Sequence, residues 1–247
     1  MEAQILEIPF PLLAVFFLMF LFMYLFGYLV VFRSWGPKHR LEAASSFMSL
    51  AHGTPAAAMA ILAVLHAPNA GDFAALNTNF QGLVLEYSIA YFLVDLLHYV
   101  LFYPRDLVFI CHHLAVIYVF VTCHYLVHHG AVPILVLLVL AELTSGCHNA
   151  WGLAGYRRAD APAAAKFQDA LSPYFYTYYS TLRGGLAPVF LHKMGIFYVS
   201  GAAENVIPKW AWISWMGVIA TAILVSILWI GNHWALWFRQ RRHGKVV

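Results

Sequence analysis

Two adjacent histidines, His112 and His113, stand inside an apolar run long enough to be buried in a lipid bilayer. Asp106 precedes them by one to two helical turns, and Asp95 and His98 lie on the apolar stretch before that. Ionisable side chains at membrane depth are rare because desolvating them is costly, so a cluster of them points to function. A neutral imidazole acts as general base or nucleophile near neutral pH, and a nearby carboxylate fixes its tautomer and stabilises the imidazolium. His112, His113, Asp95 and Asp106 are therefore the candidate catalytic residues. The chemistry they suit is transfer of an acyl group from a thioester to an amine or hydroxyl, on a lipid that enters sideways from the bilayer. The competing reading of the same residues is a satisfied polar knot that holds helices together.

The elements that must position them are membrane spans. Of the 247 residues, 62% are hydrophobic and 10% charged, against about 25% charge in a soluble domain. Seven apolar runs of about 20 residues are long enough to cross a bilayer: approximately 9–32, 43–66, 83–103, 108–127, 131–153, 170–191 and 210–237. The pattern predicts an all-α, multi-pass transmembrane helical bundle. Residues 1–33 read as an N-terminal anchor, 34–239 as the bundle domain and 240–247 as a basic tail. The first run is apolar all round, without an ionisable residue between Pro9 and Phe32, which predicts a lipid-facing helix. Its flank, residues 1–8, holds Glu2 and Glu7 and no base, unlike a cleaved signal peptide.

Basic residues set the orientation. Arg33, Lys38, Arg40, Arg105, Arg157, Arg158, Lys166, Arg239, Arg241, Arg242 and Lys245 share one side, whereas Lys193 and Lys209 occupy the other. The N-terminus is thus expected in the lumen and the C-terminus in the cytosol. The net charge of +3 is juxtamembrane and gives no reason to expect nucleic acid. Cys111, Cys123 and Cys147 all fall in spans, and an odd number in apolar surroundings reads as small core residues. His124 with His128 and His129 resembles one histidine box of a di-metal oxidase, but such enzymes need several boxes and no second one is present. No metal or permanently bound cofactor is expected.

Depth brings the polar groups together. With a 1.5 Å rise and alternating direction, Asp95 and His98 lie roughly 8–12 Å inside the cytosolic surface. His112, His113, His148 and Asn149 lie roughly 6–8 Å inside. Tyr91, Asp95 and His98 share one helix face, and Glu142, Ser145 and Asn149 share another. Arg183 is mid-span and needs an anion: Glu142 at similar depth, or a lipid phosphate. Tyr91, His98, Glu142, Asn149 and Arg183 are the candidate substrate-binding residues. Gly53-Thr54-Pro55 and Gly184-Gly185 with Pro188 predict bends, and the aromatic run 174–179 reads as an interfacial belt.

The ordered set Trp35, Lys38 and Arg40, His52, Tyr91-Phe92-Leu93-Val94-Asp95, Arg105-Asp106, His112-His113, Glu142-Leu143-Thr144-Ser145, Asn149 and Arg183 resembles the TLC domain family over residues 34–239. The resemblance implies six of the seven helices around a central cavity, and residence in the endoplasmic reticulum or another endomembrane. The family includes the ceramide synthases, whose adjacent histidines serve acyl transfer from acyl-CoA to a sphingoid base. Arg105-Asp106 and His112-His113 match the first half of that enzymes' motif. Where the second half has a His-Asp pair and a further aspartate, this chain has Ala141-Glu142 and Thr144-Ser145, closer to the small non-synthase members. Two functions follow as expectations, both in membrane lipid metabolism or homeostasis. One is a His-dependent lipid acyltransferase with a cytosol-facing cavity and acyl-CoA as co-substrate. The other is a non-catalytic lipid-binding or trafficking protein with the same cavity. Membrane lipids are the expected partners of both, with homo-oligomerisation left open.

Overall fold

The structure, a computed structural model, describes residues 12–243, save the side chains of Lys38 and His243. The flank 1–8 and residues 244–247 of the tail lie outside the described residues. Seven helical rods follow one another: α1 (Leu12–Val31), α2 (Pro37–Leu65), α3 (Asn79–Phe102), α4 (Leu107–Val127), α5 (Ala131–Tyr156), α6 (162–199) and α7 (Lys209–His243). Six are long and apolar enough to cross a membrane, so this is an integral membrane protein. The helix α6 contains the expected span 170–191 and continues well past both of its ends; Lys166, Asp169 and Arg183 make it more polar than the rest.

Helix starts follow from local chemistry. Thr78 and Gln81 form a capping box at α3, each side chain serving the other's backbone N–H. Pro37 and Pro162 open α2 and α6, where the missing N–H costs nothing. The glycines of the two expected bends have different surroundings. Gly53 allows close approach, since a Cβ there would meet Glu142 Oε2 and Ser145 Cβ at 2.8 Å. Gly184 and Gly185 lie within a π-helical segment, Ser180–Leu186, a local widening that recurs at functional sites.

The packing order is a closed ring: α2 on α3, α3 on α4, α4 on α7, α7 on α6, α6 on α5 and α5 back on α2. On α2 the buried stripe Ala44, Met48, His52, Ala56, Ala60 and Ala63 steps mostly by four residues. Its alanines let neighbouring backbones come close, which is how helices pack in lipid. The aromatic run 174–179 divides by face: Phe175, Tyr176 and Tyr179 are buried against the α7 segment around Trp229, and Tyr174 and Tyr178 point outward. It is half core, half surface.

The first helix corrects the expectation of an all-round lipid-facing anchor. It packs on α3, with Phe20 buried among the rings of His52, Tyr87 and Tyr91. The Tyr24 hydroxyl hydrogen-bonds His98 Nδ1 at 2.9 Å. Only the opposite face, with Leu18, Phe22 and Leu29, is exposed. Aromatic side chains suit lipid and protein core equally, so composition could not separate the two faces. In detergent, Phe20→Ala should cost about 3–5 kcal/mol of unfolding free energy. Phe22→Ala, two residues away on the exposed face, should cost under about 0.5 kcal/mol. Equal losses would mean that α1 is not part of the bundle.

Candidate functional site

The ring encloses a cavity of about 470 Å³ that reaches the end of the bundle carrying the basic loops. Toward that end the lining is a polar wall, with Asp95, His112, His113, His148 and Arg183; deeper along α5 and α7 it turns apolar, with Ile134, Leu137, Val218 and Ile219. All nine sequence-predicted site residues line it. They do not act as one group.

Asp95 is the centre of the polar wall. It projects from α3 and is buried. Its Oδ1 accepts from Ser45 Oγ of α2 at 2.6 Å, and its Oδ2 lies 2.8 Å from His113 Nε2 of α4. Tyr91 OH, one turn earlier on α3, points at Oδ2 from 3.5 Å, too far to contribute much. His113 is held twice. Its Nδ1 lies 2.7 Å from the Phe109 carbonyl oxygen. A carbonyl only accepts, so Nδ1 carries a hydrogen, and Nε2 shares another with Asp95. Neither nitrogen of His113 has a lone pair open to the cavity.

His112 is the opposite case. It lines the cavity, makes ring contacts with Phe92 and His113, and has no hydrogen bond among the described residues. Adjacent positions on a helix point about 100° apart, which follows from 3.6 residues per turn. One imidazole is locked into the knot and its neighbour is left free. Cys111 points to the outer surface and does not share the cavity.

The remaining residues divide by partner. Asp106 caps α4, its carboxylate accepting from Phe109 N–H at 3.5 Å, and has no hydrogen bond to either histidine. His98 is turned toward Tyr24 of α1. Asn149 donates to Ser49 Oγ at 3.0 Å and to the Ser145 carbonyl at 2.9 Å, tying α5 to α2. At the mouth, burial pushes the Tyr103 phenol up to about 12, with the Glu42 charge adding to it, so it stays a neutral donor.

Arg183 and Glu142 do not form the expected pair. Glu142 accepts from Ser145 Oγ at 2.6 Å and faces His52 Nδ1 at 3.9 Å. Arg183 instead donates from Nε to Thr144 Oγ1 at 3.1 Å and from Nη2 to the Ala141 carbonyl at 2.8 Å, with its guanidinium over the Tyr179 ring. The break in α5 at Leu143 and Thr144 explains this. There the Thr144 hydroxyl donates to the Ala141 carbonyl at 2.7 Å, and both oxygens also accept from Arg183, while Glu142 turns toward α2. Equal depth predicted proximity, but the azimuth depended on that break.

Sequence reasoning missed Ser45 and Ser49. A signal was present: Ser45, Ser49 and His52 recur at i, i+4, i+7 on α2, the same spacing as Tyr91, Asp95 and His98 on α3. The histidines of the box-like run disperse. His124 meets Glu86, His129 meets the Ala74 carbonyl, and His128 closes α4 in a left-handed conformation.

Comparison with known proteins adds the following. A family model described as the TLC domain matches residues 42–235. A TLC domain-containing protein of Arabidopsis thaliana is 50% identical across 100% of this chain and 97% of its own length. No solved structure matches.

The buried contact predicts strong coupling. Asp95→Asn and His113→Gln should each lower stability by about 3–5 kcal/mol, because each strands the group left behind. The double variant should cost at least about 1 kcal/mol less than the sum. Strictly additive losses in thermal unfolding would show that the two side chains do not depend on each other.

Proposed function

The chain belongs to the TLC domain family, and from that premise we propose that it acts in membrane lipid metabolism or homeostasis by taking a lipid into the cavity of its helix ring. The observation that carries this reading is a cavity whose lining is polar toward its open end and apolar deeper in, within a bundle of apolar membrane helices. A lipid has the same division, and a site of several hundred cubic ångströms with a few convergent polar groups is the usual form of a small-molecule site. The excess of basic residues at the cavity's open end supports a cytosolic opening, in the endoplasmic reticulum or another endomembrane.

Within that cavity His112 is the group suited to chemistry. Its free imidazole would take the proton of a lipid amine or hydroxyl as that atom attacks an acyl-CoA thioester. The new carbon–nitrogen or carbon–oxygen bond forms, the carbon–sulfur bond breaks, and the proton passes from His112 to the departing thiolate. His113 and Asp95 act as positioning residues that fix the start of α4 and so the direction of His112. The Asp106 cap supports the same turn.

A second reading is favoured by a specific observation. Asp95, His113 and Ser45 satisfy one another, as they would in a cavity that holds a lipid without transforming it. The two readings differ in what happens to product lipids. In cells expressing the protein, His112→Ala should reduce the resulting change in lipid composition by about 10²–10⁴ in rate, the usual value of a general base, with an unchanged melting temperature. An identical lipid profile for wild type and variant, with lipid still bound to both purified proteins, would remove the transferase and leave the lipid-holding protein.

A further inference from the structure

Arg183 is a cation inside a membrane-embedded cavity whose charge no carboxylate of the described residues neutralises by an ion pair. Its two bonds are to neutral acceptors, the Thr144 hydroxyl and the Ala141 carbonyl. A guanidinium has five N–H donors in one plane. With Nε–H and one Nη2–H committed, three donors are left without an acceptor among the described residues: both on Nη1 and one on Nη2. The committed pair fixes the fork, with the Tyr179 ring beside it. A guanidinium held at one edge and open along the other presents the geometry that takes two oxygens of a phosphate or carboxylate.

A second side chain points to the same kind of ligand. His148 lines the cavity from α5, stacked on Phe175 with ring centroids 5.4 Å apart and planes 8° from parallel. Trp229 packs edge-on against it. Neither ring nitrogen has a hydrogen bond among the described residues. The stack fixes the plane of the imidazole, so its one N–H is a further unmatched donor on the same wall. Beyond Arg183 the lining turns apolar through Ala187, Val218 and Ile219. An anion seated on the fork would therefore have hydrocarbon beside it.

We infer that Arg183, with His148, is the receptor for the anionic phosphate group of the lipid that occupies the cavity. This rests on the reading of the cavity as a lipid site, and it names the class of lipid. The occupant presents phosphate oxygens to the fork and lays its acyl chains along the apolar lining deeper in the cavity. The same oxygens could belong to a soluble phosphate, and the test separates the two sources.

The purified protein is incubated with phosphatidic acid and diacylglycerol of identical chains, in equal amounts, and the bound lipid is read by native mass spectrometry. Wild type should retain phosphatidic acid over diacylglycerol by at least about tenfold, the order of a single charge-assisted site. Arg183→Gln should remove the preference. Arg183→Lys should keep part of it, since the charge stays and the planar fork is lost. Millimolar inorganic phosphate should leave the bound phosphatidic acid in place; full displacement, with phosphate itself retained, would assign the site to a soluble ligand and overturn the lipid assignment. Equal retention of both lipids by wild type overturns the inference and leaves the cavity reading standing. Retention of neither lipid overturns both. The wild-type comparison needs no variant, so an Arg183→Gln protein that fails to fold does not spoil it.

Discussion

A buried carboxylate in a membrane bundle must be matched on every side, and Asp95 is matched by the two helices that flank its own. Ser45 comes from α2 and His113 from α4, while Asp95 stands on α3 between them. Loss of either partner is costly, because unpaired polar groups in a low-dielectric interior cost far more than in solvent. The three helices are therefore held at one relative height, and the height of α4 sets where His112 points. The second backbone-directed bond of His113, to the Phe109 carbonyl, fixes the imidazole against rotation. One residue of the adjacent pair gives up its freedom, and its neighbour keeps a bare nitrogen over the cavity.

The remainder of the ring extends the same logic. Gly53 and the alanine stripe let α2 approach α5 closely enough for Asn149 to reach Ser49. The break in α5 turns Glu142 one way and offers Ala141 and Thr144 to Arg183 the other way. A guanidinium turned into the interior of a helix bundle is costly unless its donors find acceptors. Two neutral acceptors relieve part of that cost and leave the positive charge for an occupant. The polar wall is a structural knot at Asp95, with the free imidazole of His112 beside it and the open guanidinium of Arg183 on another helix.

Much of this was legible in the residues themselves. Run lengths located the helices, and the alternation of direction placed Asp95, His113, His148 and Asn149 at one depth, where they line one cavity. Depth along a helix follows from counting. What counting does not supply is azimuth across helices. That is why Glu142 and Arg183, equal in depth, were expected to meet and do not. The packing face of α1 was hidden for another reason: a sequence apolar on every side carries no periodic signal, and only the hydroxyls of Tyr24 and Tyr28, one turn apart, marked the inner face. The distinct environments of His112 and His113 were equally hidden, because adjacent identical residues differ only through what surrounds them. Ser45 and Ser49 repeat at helical spacing opposite the Tyr91–Asp95–His98 face, but serines are common enough in membrane helices that spacing alone did not single them out.

The account depends on His112 and His113 being chemically unlike despite being neighbours. Diethyl pyrocarbonate acylates an imidazole nitrogen that has a free lone pair, and the modified residue is read by peptide mass spectrometry. In the folded protein in detergent, His112 should be modified readily and His113 spared. Asp95→Asn should then expose His113 to the reagent. Equal modification of the two histidines in the wild-type protein would contradict the buried Asp95–His113 contact, and with it the claim that the bundle sets one histidine in order to leave the other free.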